Sequence, residues 1–134
     1  MVAEHNQHCE QTLMFTDIVG YSRLMGRNEA MAIEMLGDYR KILLSHIEQQ
    51  GGQLVEFIGD AIFARFNSAA SATAAAIAIQ QHLQAFNEVR DKKLPALQTR
   101  IGLHKGEVML RDGAVFGDSV NIAARLEPLA VADG

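Results

Sequence analysis

The chain has 134 residues, of which 49% are hydrophobic and 21% charged, so its composition is that of one globular domain rather than a disordered chain. Twelve lysines and arginines against sixteen aspartates and glutamates give a formal net charge of -4 without a basic tract, which argues against a nucleic acid partner. The longest weakly polar run, 69–79, is far shorter than the roughly 20 apolar residues of a membrane-spanning helix, so we expect a cytoplasmic protein with no membrane segment.

The amino terminus contains the only cysteine, Cys9, which excludes an intrachain disulfide and a cysteine-rich zinc site. His5 and His8 lie close to it, and we interpret this part of the chain as a mobile terminus rather than a metal site. Residues 1–12 are therefore predicted to be a lead-in, and 13–134 the domain itself.

The first predicted strand, 13–18, is short, apolar and β-prone, and Gly20 follows it, so Asp17 lies at a strand end. From Asn28 onward, apolar residues recur at helical spacing as far as the glycine pair at 51–52, which predicts an amphipathic helix that covers one face of a sheet. The members of this stripe are Ala32, Leu36, Tyr39, Leu43 and Ile47.

A β-hairpin is predicted next, because the β-type runs 53–58 and 61–66 are joined by Gly59-Asp60. A second amphipathic helix begins near Ser68, and a charged loop at 90–96 follows it. The remaining predicted elements are strands at 99–103, 107–110 and 114–116 and a final helix at 118–129, capped by Asp118 or Ser119. This alternation predicts an α/β or α+β fold with helices packed on a sheet.

Asp17 and Asp60 are the most informative polar residues, because each lies at the end of an otherwise apolar strand. Burying a carboxylate there costs several kcal/mol unless a cation or hydrogen-bond donors compensate it. Two such acids on adjacent strand ends suit a pair of Mg²⁺ or Mn²⁺ ions, which prefer carboxylate oxygens. The alternative is that Asp17 caps a turn and Asp60 is a hairpin residue. The spacing alone leaves both interpretations open.

Three segments resemble, in order, the signature stretches of the class III adenylyl/guanylyl cyclase catalytic domain: FTDIVGYS at 15–22, IGDA at 58–61 and FGDSVNIAARL at 116–126. The resemblance runs from about Leu13 to Leu129. It implies a ferredoxin-like palm for 13–134, with an antiparallel-rich sheet and helices packed on it. The family domain continues into further strands, one of which carries a lysine that binds triphosphate, so we expect the carboxyl-terminal strands to be missing from this chain.

The resemblance also implies a mechanism, in which ATP or GTP is converted to a 3′,5′-cyclic nucleotide and pyrophosphate. Aspartates at the positions of Asp17 and Asp60, with the backbone carbonyl of Ile18, bind two Mg²⁺ or Mn²⁺ ions in the family. The backbone N–H groups of Val19, Gly20 and Tyr21 are suited to cradle phosphate, although the Tyr21 side chain is assigned to packing.

The second half of the implied site lies on the final predicted helix, where Asn121 and Arg125 share one face. In the family the asparagine orients the ribose and the arginine stabilises charge on the α-phosphoryl group. Arg100 matches a family position that contacts the triphosphate, but an exposed arginine at a strand end explains it equally. Family sites combine the metal acids of one chain with the Asn/Arg pair of another, so a homodimer with two composite sites is implied.

Two positions usually select the base in the family, and they correspond here to Glu56 and Ala114. Glutamate at the first position resembles guanylyl cyclases, since a carboxylate accepts from two donors of guanine. Ala114 offers no polar group, so the choice between ATP and GTP stays open. Glu56 on a solvent-facing strand position is the alternative. The alternative function is a weakly active or inactive cyclase-like module for nucleotide binding or dimerisation. Regulatory domains outside this chain are a further expectation.

Overall fold

The computed structural model describes residues 7–117 and residue 120 of the protein. Within these residues, five strands and three helices follow one another along the chain. The strands are β1 (Gln7–Ile18), β2 (Gln53–Ile58), β3 (Ala61–Phe66), β4 (Thr99–Arg111) and β5 (Ala114–Phe116). The helices are α1 (Tyr21–Arg27), α2 (Glu29–Gln49) and α3 (Ala69–Val89).

The strands form one sheet in the order β2-β3-β1-β4-β5, and every neighbouring pair is antiparallel. Strand β1 is central because it pairs with β3 on one side and with β4 on the other. A β-α-β-β-α-β order with this arrangement is the ferredoxin-like pattern, so the predicted palm is confirmed.

The two faces of the sheet are covered differently, because successive side chains of a strand point to opposite faces. Met14 and Ile18 of β1 point towards α2 and α3 and are buried with the inner stripes of both helices. Leu13 and Phe15 point the other way, into a smaller apolar cluster with Phe63. We call the side that bears this smaller cluster the open face. Asp17 lies two residues after Phe15, so the alternation puts it on the open face as well.

The β2–β3 hairpin has the predicted boundaries, and its two-residue turn is Gly59-Asp60. Gly59 has a φ of 60° and Asp60 does not have a positive φ, which is the pattern of a type II′ turn. Ile58 pairs directly with Ala61, so the turn fixes the position of Asp60 relative to β3.

Three boundaries differ from the sequence predictions. Strand β1 begins at Gln7 rather than at residue 13, because 7–12 pair with the second half of β4, and the interpretation of these residues as a mobile terminus was wrong. The two strands predicted in 99–110 are one continuous strand. The short helix α1 was given no bounds from the sequence; none of its residues is fully buried, and its packing on the core is limited to partly buried Tyr21 and Leu24.

Asn28 and Ser68 begin the two long helices by capping: their side chains accept hydrogen bonds from the backbone amides of Met31 and Ser71. No helix among residues 7–117 is long and apolar enough to cross a membrane. His5 and the helix predicted at 118–129, with its proposed caps Asp118 and Ser119, lie outside the described residues.

Candidate active site

The structure brings Asp17 and Asp60 to one cleft of about 350 Å³, at the end of β1 and the tip of the β2–β3 hairpin. The cleft is lined by Asp17, Ile18, Gly20, Tyr21, Ser22, Arg23, Asp60 and Arg100. A larger cleft of about 630 Å³ runs along α3, but it is lined mainly by amide and apolar side chains and has one carboxylate only. The paired acids therefore mark the smaller cleft as the candidate site.

Asp60 is joined to the end of β1 by a hydrogen bond in which the Ile18 backbone N–H donates to Asp60 Oδ2 at 2.9 Å. This bond connects the hairpin tip to the end of β1, next to Asp17. Asp60 is half-buried, which makes its carboxylate both a structural acceptor and a candidate metal ligand.

Asp17 forms an ion pair with the side chain of Arg100. Its register partner across the β1–β4 ladder is Arg100, and the two side chains therefore lie on the same face. Arg100 Nε lies 3.3 Å from Asp17 Oδ1 and Arg100 Nη2 lies 3.4 Å from Asp17 Oδ2. Both distances exceed the 2.7–2.9 Å typical of strong charge-assisted bonds, and both side chains are partly exposed, so the pair is a weak one.

A buried chain of hydroxyl groups lies beneath Asp17. The Tyr39 hydroxyl donates to Thr16 Oγ1 at 2.7 Å and lies 2.6 Å from Thr99 Oγ1. Thr99 Oγ1 donates in turn to the Asp17 backbone carbonyl at 2.8 Å. Burial raises the pKa of Tyr39 well above its usual value and the charges of Asp17 and Asp60 add to the rise, while the bonds to the two threonines oppose it. Tyr39 therefore stays protonated and remains a donor.

Sequence reasoning missed this hydroxyl chain, because Tyr39 was assigned to an apolar stripe. The available signal was Thr16 and Thr99: each is a hydroxyl residue at a strand position that alternation assigns to the buried face. A buried hydroxyl requires a partner, and a polar side chain on the covering helix α2 or α3 is one group that can supply it.

The donor set of the cleft fits hard divalent cations. Two carboxylates and the Ile18 carbonyl offer oxygen atoms, and Mg²⁺ is commonly held by one or two carboxylates together with substrate phosphates and water. Among residues 7–117 and 120, no group of three or more His, Cys, Asp or Glu side chains forms a complete metal cage. The residues present are therefore suited to ions that arrive with a phosphate ligand rather than to a structural zinc ion.

The predicted phosphate cradle is only partly available. The Val19 N–H donates to the Gln98 carbonyl at 2.9 Å, so its assignment to phosphate does not hold in this conformation. The cause is that the chain before β4 continues to pair with the residue after β1. Gly20 has a φ of 75° and precedes α1, and the Tyr21 side chain packs against the helix-covered core, as its assignment to packing predicted.

Glu56 and Ala114, the two predicted base-selecting residues, line a second cleft of about 520 Å³. Phe15 and Phe63 also line it, and their stacked rings have centroids 4.3 Å apart on the open face. Glu56 is exposed there and Ala114 is half-buried. Asn121 and Arg125 lie outside the described residues, so the structure leaves their predicted roles untested.

Comparisons with known proteins agree with these motifs. Residues 3–133 match the family model described as the adenylate and guanylate cyclase catalytic domain. An adenylate cyclase of Anabaena cylindrica is 36% identical over 134 aligned residues, which cover 88% of this chain and 27% of the relative. The chain thus spans about a quarter of the length of that relative.

Two solved structures are also similar. A crystal structure of an adenylate/guanylate cyclase/hydrolase from Silicibacter pomeroyi superposes with a TM-score of 0.86 at 38% identity, covering 96% of this chain and 75% of the other. A bacterial light-regulated adenylyl cyclase superposes with a TM-score of 0.87 at 29% identity, covering 93% of this chain and 41% of the other.

Proposed function

The chain belongs to the adenylate and guanylate cyclase catalytic domain family, and we propose that it converts ATP or GTP to the 3′,5′-cyclic nucleotide and pyrophosphate, for intracellular signalling. The observation that supports this most directly is the meeting of Asp17, Asp60 and Ile18 at one cleft. The cytoplasmic location expected from composition stays a prediction.

Asp17, Asp60 and the Ile18 carbonyl would hold two Mg²⁺ or Mn²⁺ ions. When bound, such ions lower the pKa of the ribose 3′-hydroxyl and neutralise the triphosphate. The residues of the chain supply the geometry: the Ile18 N–H orients the Asp60 carboxylate, and Arg100 lies beside Asp17 where it can turn to the triphosphate. The 3′-hydroxyl gives its proton to water, its oxygen bonds to the α-phosphorus, the bond from the α-phosphorus to the oxygen that bridges to the β-phosphate breaks, and pyrophosphate leaves with that oxygen.

We infer a homodimer with composite sites, because the family resemblance implies one and the described residues place two clefts side by side on the sheet. The metal cleft and the base cleft meet along β1, where Asp17 lines one and Phe15 the other. A second copy that faces this surface in a two-fold arrangement would join the acids of each chain to the base cleft of its partner. Asn121 and Arg125 would complete each site. Exposed apolar side chains near the open face, Ile58 at 49% and Phe116 at 50%, support such a contact.

The base preference depends on Glu56. A carboxylate at this point of the cleft accepts from the N1–H and 2-amino groups of guanine, whereas adenine presents the N1 acceptor to it. Ala114 adds no polar contact, and the stacked Phe15 and Phe63 rings provide an apolar wall that suits either purine. The proposal therefore includes both ATP and GTP as substrates.

A non-catalytic cyclase-like module is the second candidate, and the Asp17–Arg100 pair is the observation that favours it. A guanidinium beside a metal ligand already compensates its charge, which lowers the gain from binding an ion there. The pair is long and partly exposed, however, so a divalent cation can displace it at low cost.

The deciding experiment measures product formation from ATP and from GTP separately, with Mn²⁺ and protein that has its natural termini. We expect cyclic nucleotide and pyrophosphate in equal amounts. The matched control is the 3′-deoxy nucleotide, which lacks the attacking hydroxyl and should give neither product. Nucleotide binding in equilibrium dialysis without any turnover would instead support the non-catalytic module.

A further inference from the structure

We propose that Tyr39 and Arg40, which are neighbours on α2, are positioning residues that fix the location of Asp17 relative to Asp60. This inference rests on the proposed function, in which the two acids hold metal ions together. Tyr39 contacts the end of β1, next to Asp17, and Arg40 contacts the tip of the β2–β3 hairpin, next to Asp60.

Tyr39 reaches the Asp17 side of the site. It is fully buried, and its hydroxyl bonds to Thr16, the residue before Asp17, and to Thr99, which holds the Asp17 backbone carbonyl. The residue before the acid and the backbone carbonyl of the acid itself are therefore both connected to one helix residue, the carbonyl through Thr99. Because these hydroxyls are shielded from water, a lost partner cannot be replaced cheaply by solvent.

Arg40 reaches the Asp60 side. Its Nη2 donates to the backbone carbonyl of Gly59 at 3.1 Å, and its guanidinium carbon lies 4.1 Å from the centroid of the Phe57 ring. Arg40 Nε is buried and has no hydrogen-bond partner among the described residues. A planar guanidinium both donates and stacks in this way, which an ammonium group does less well.

The contacts of Tyr39 and Arg40 can hold the two acid-bearing segments at a fixed separation, which hydrophobic packing alone would not do. Two carboxylates that share a site repel each other when no cation lies between them. The bond from the Ile18 N–H to Asp60 continues the connection between β1 and the hairpin beyond the β1–β3 ladder, whose last pair is Thr16 and Ile62. Consecutive residues on α2 connect to both segments, and α2 is itself anchored in the core through Leu43 and Ile47. The helix therefore preorganises the acids before ions and nucleotide bind.

The test compares Arg40→Met, which removes the guanidinium but keeps a long side chain, with Arg40→Lys and with the control Lys41→Met. Lys41 is the next residue on α2 and is exposed. The first readout needs no activity: the chemical shift and hydrogen exchange of the Ile18 amide, measured by NMR in the whole chain, report whether Asp60 still accepts its bond. We expect faster exchange at Ile18 in Arg40→Met, partial recovery in Arg40→Lys, and the wild-type rate in Lys41→Met.

The second readout is kinetic. Arg40→Met and Tyr39→Phe should each lower kcat by about 10- to 100-fold, the scale of a small misplacement of catalytic groups. They should also raise the Mn²⁺ concentration for half-maximal rate, with little change in the nucleotide KM. A merely structural role would lower the unfolding temperature and leave this division between kcat and KM unaltered.

An Ile18 amide in Arg40→Met that matches wild type, together with a kcat within twofold, would overturn the proposal. Equal effects in Arg40→Met and Lys41→Met would overturn it too, since they would show general loosening of α2. A wild-type protein that makes no cyclic nucleotide would refute the proposed function instead, and the Ile18 exchange rates would still decide whether Arg40 positions the hairpin.

Discussion

Replacing Asp17 with asparagine separates catalysis from stability, because the side chain has the same size and only its charge is lost. The ion pair with Arg100 spans 3.3 Å, with Arg100 and Asp17 side chains 34% and 23% exposed. A long, partly exposed pair of this kind contributes at most about 1 kcal/mol. For a domain of this size, that corresponds to a fall in unfolding temperature of no more than about 5 °C.

The effect on turnover should be far larger. Losing a preorganised electrostatic group in an active site commonly lowers kcat by about 10²- to 10³-fold, or roughly 3–4 kcal/mol of activation free energy. Asp60→Ala is a less clean test, because Asp60 also accepts the Ile18 backbone N–H and its removal leaves that amide without its partner. Asp17→Asn therefore gives the sharper contrast between a small loss of stability and a large loss of rate.

The assay measures initial rates of cyclic nucleotide formation with Mn²⁺, beside thermal unfolding of the same samples. Glu10→Gln is a matched control, since Glu10 forms a pair with Lys105 across the same two strands at 3.4 Å and is well exposed. It should change neither quantity. A rate for Asp17→Asn within tenfold of wild type would refute the metal-ligand assignment, and an unfolding temperature lowered by more than about 10 °C would show that Asp17 is structural.

Three further predictions concern assembly, base choice and pH. Asp17→Ala and Arg125→Ala chains, each inactive alone, should regain activity when mixed, since one site of the heterodimer keeps both wild-type halves; heterodimers proven to form but lacking activity would contradict a shared site. Glu56→Lys should shift the GTP/ATP ratio of kcat/KM towards ATP by roughly 1–3 kcal/mol, and an unchanged ratio would mean that Glu56 faces solvent. Burial, and to a smaller extent the charge of His82, lowers the pKa of His46 below its usual 6.5. As the pH falls, the unfolded chain therefore binds a proton at His46 at a higher pH than the folded chain does, and the free energy of unfolding should decrease below about pH 6.5. Urea unfolding at pH 7.5, 6.5 and 5.5 should show a weaker pH dependence in His46→Gln, and equal dependence in both proteins would dismiss His46 as the cause.

The parts of the fold that the sequence predicted well are those where local chemistry and packing agree. The β2–β3 hairpin was predicted with correct ends, because two β-type runs flank a two-residue joint with glycine. Helix α2 was equally predictable from the sequence, since Asn28 caps it and an apolar stripe follows. In both cases the signal lies within a few residues of the element.

The parts that the sequence could not predict depend on partners far along the chain. Residues 7–12 are mostly polar, and they are a strand only because they pair with the second half of β4. Conversely, His104-Lys105-Gly106 has the composition of a turn, but β1 holds it extended. Non-local pairing overrides local preference at both places.

The candidate site shows the same division. The positions of Asp17 and Asp60 followed from strand ends and family motifs, and the structure brings both to one cleft. The contacts of Tyr39 and Arg40 did not follow, because a tyrosine in an apolar stripe and an arginine at its edge are ordinary features of an amphipathic helix. Their role in the site depends on which strand ends they contact, and these contacts are set by the tertiary structure rather than by the local sequence.

The alternation of β1 makes this short segment unusually sensitive to changes in length. Inserting or deleting one residue between Phe15 and Asp17 would exchange the two faces for every residue beyond the change. Asp17 would then turn towards the helices, and after a deletion the apolar Ile18 would take its place beside Arg100. The connection at 90–98 has no such alternation to preserve, so libraries that vary chain length should yield folded proteins from that loop and few from β1.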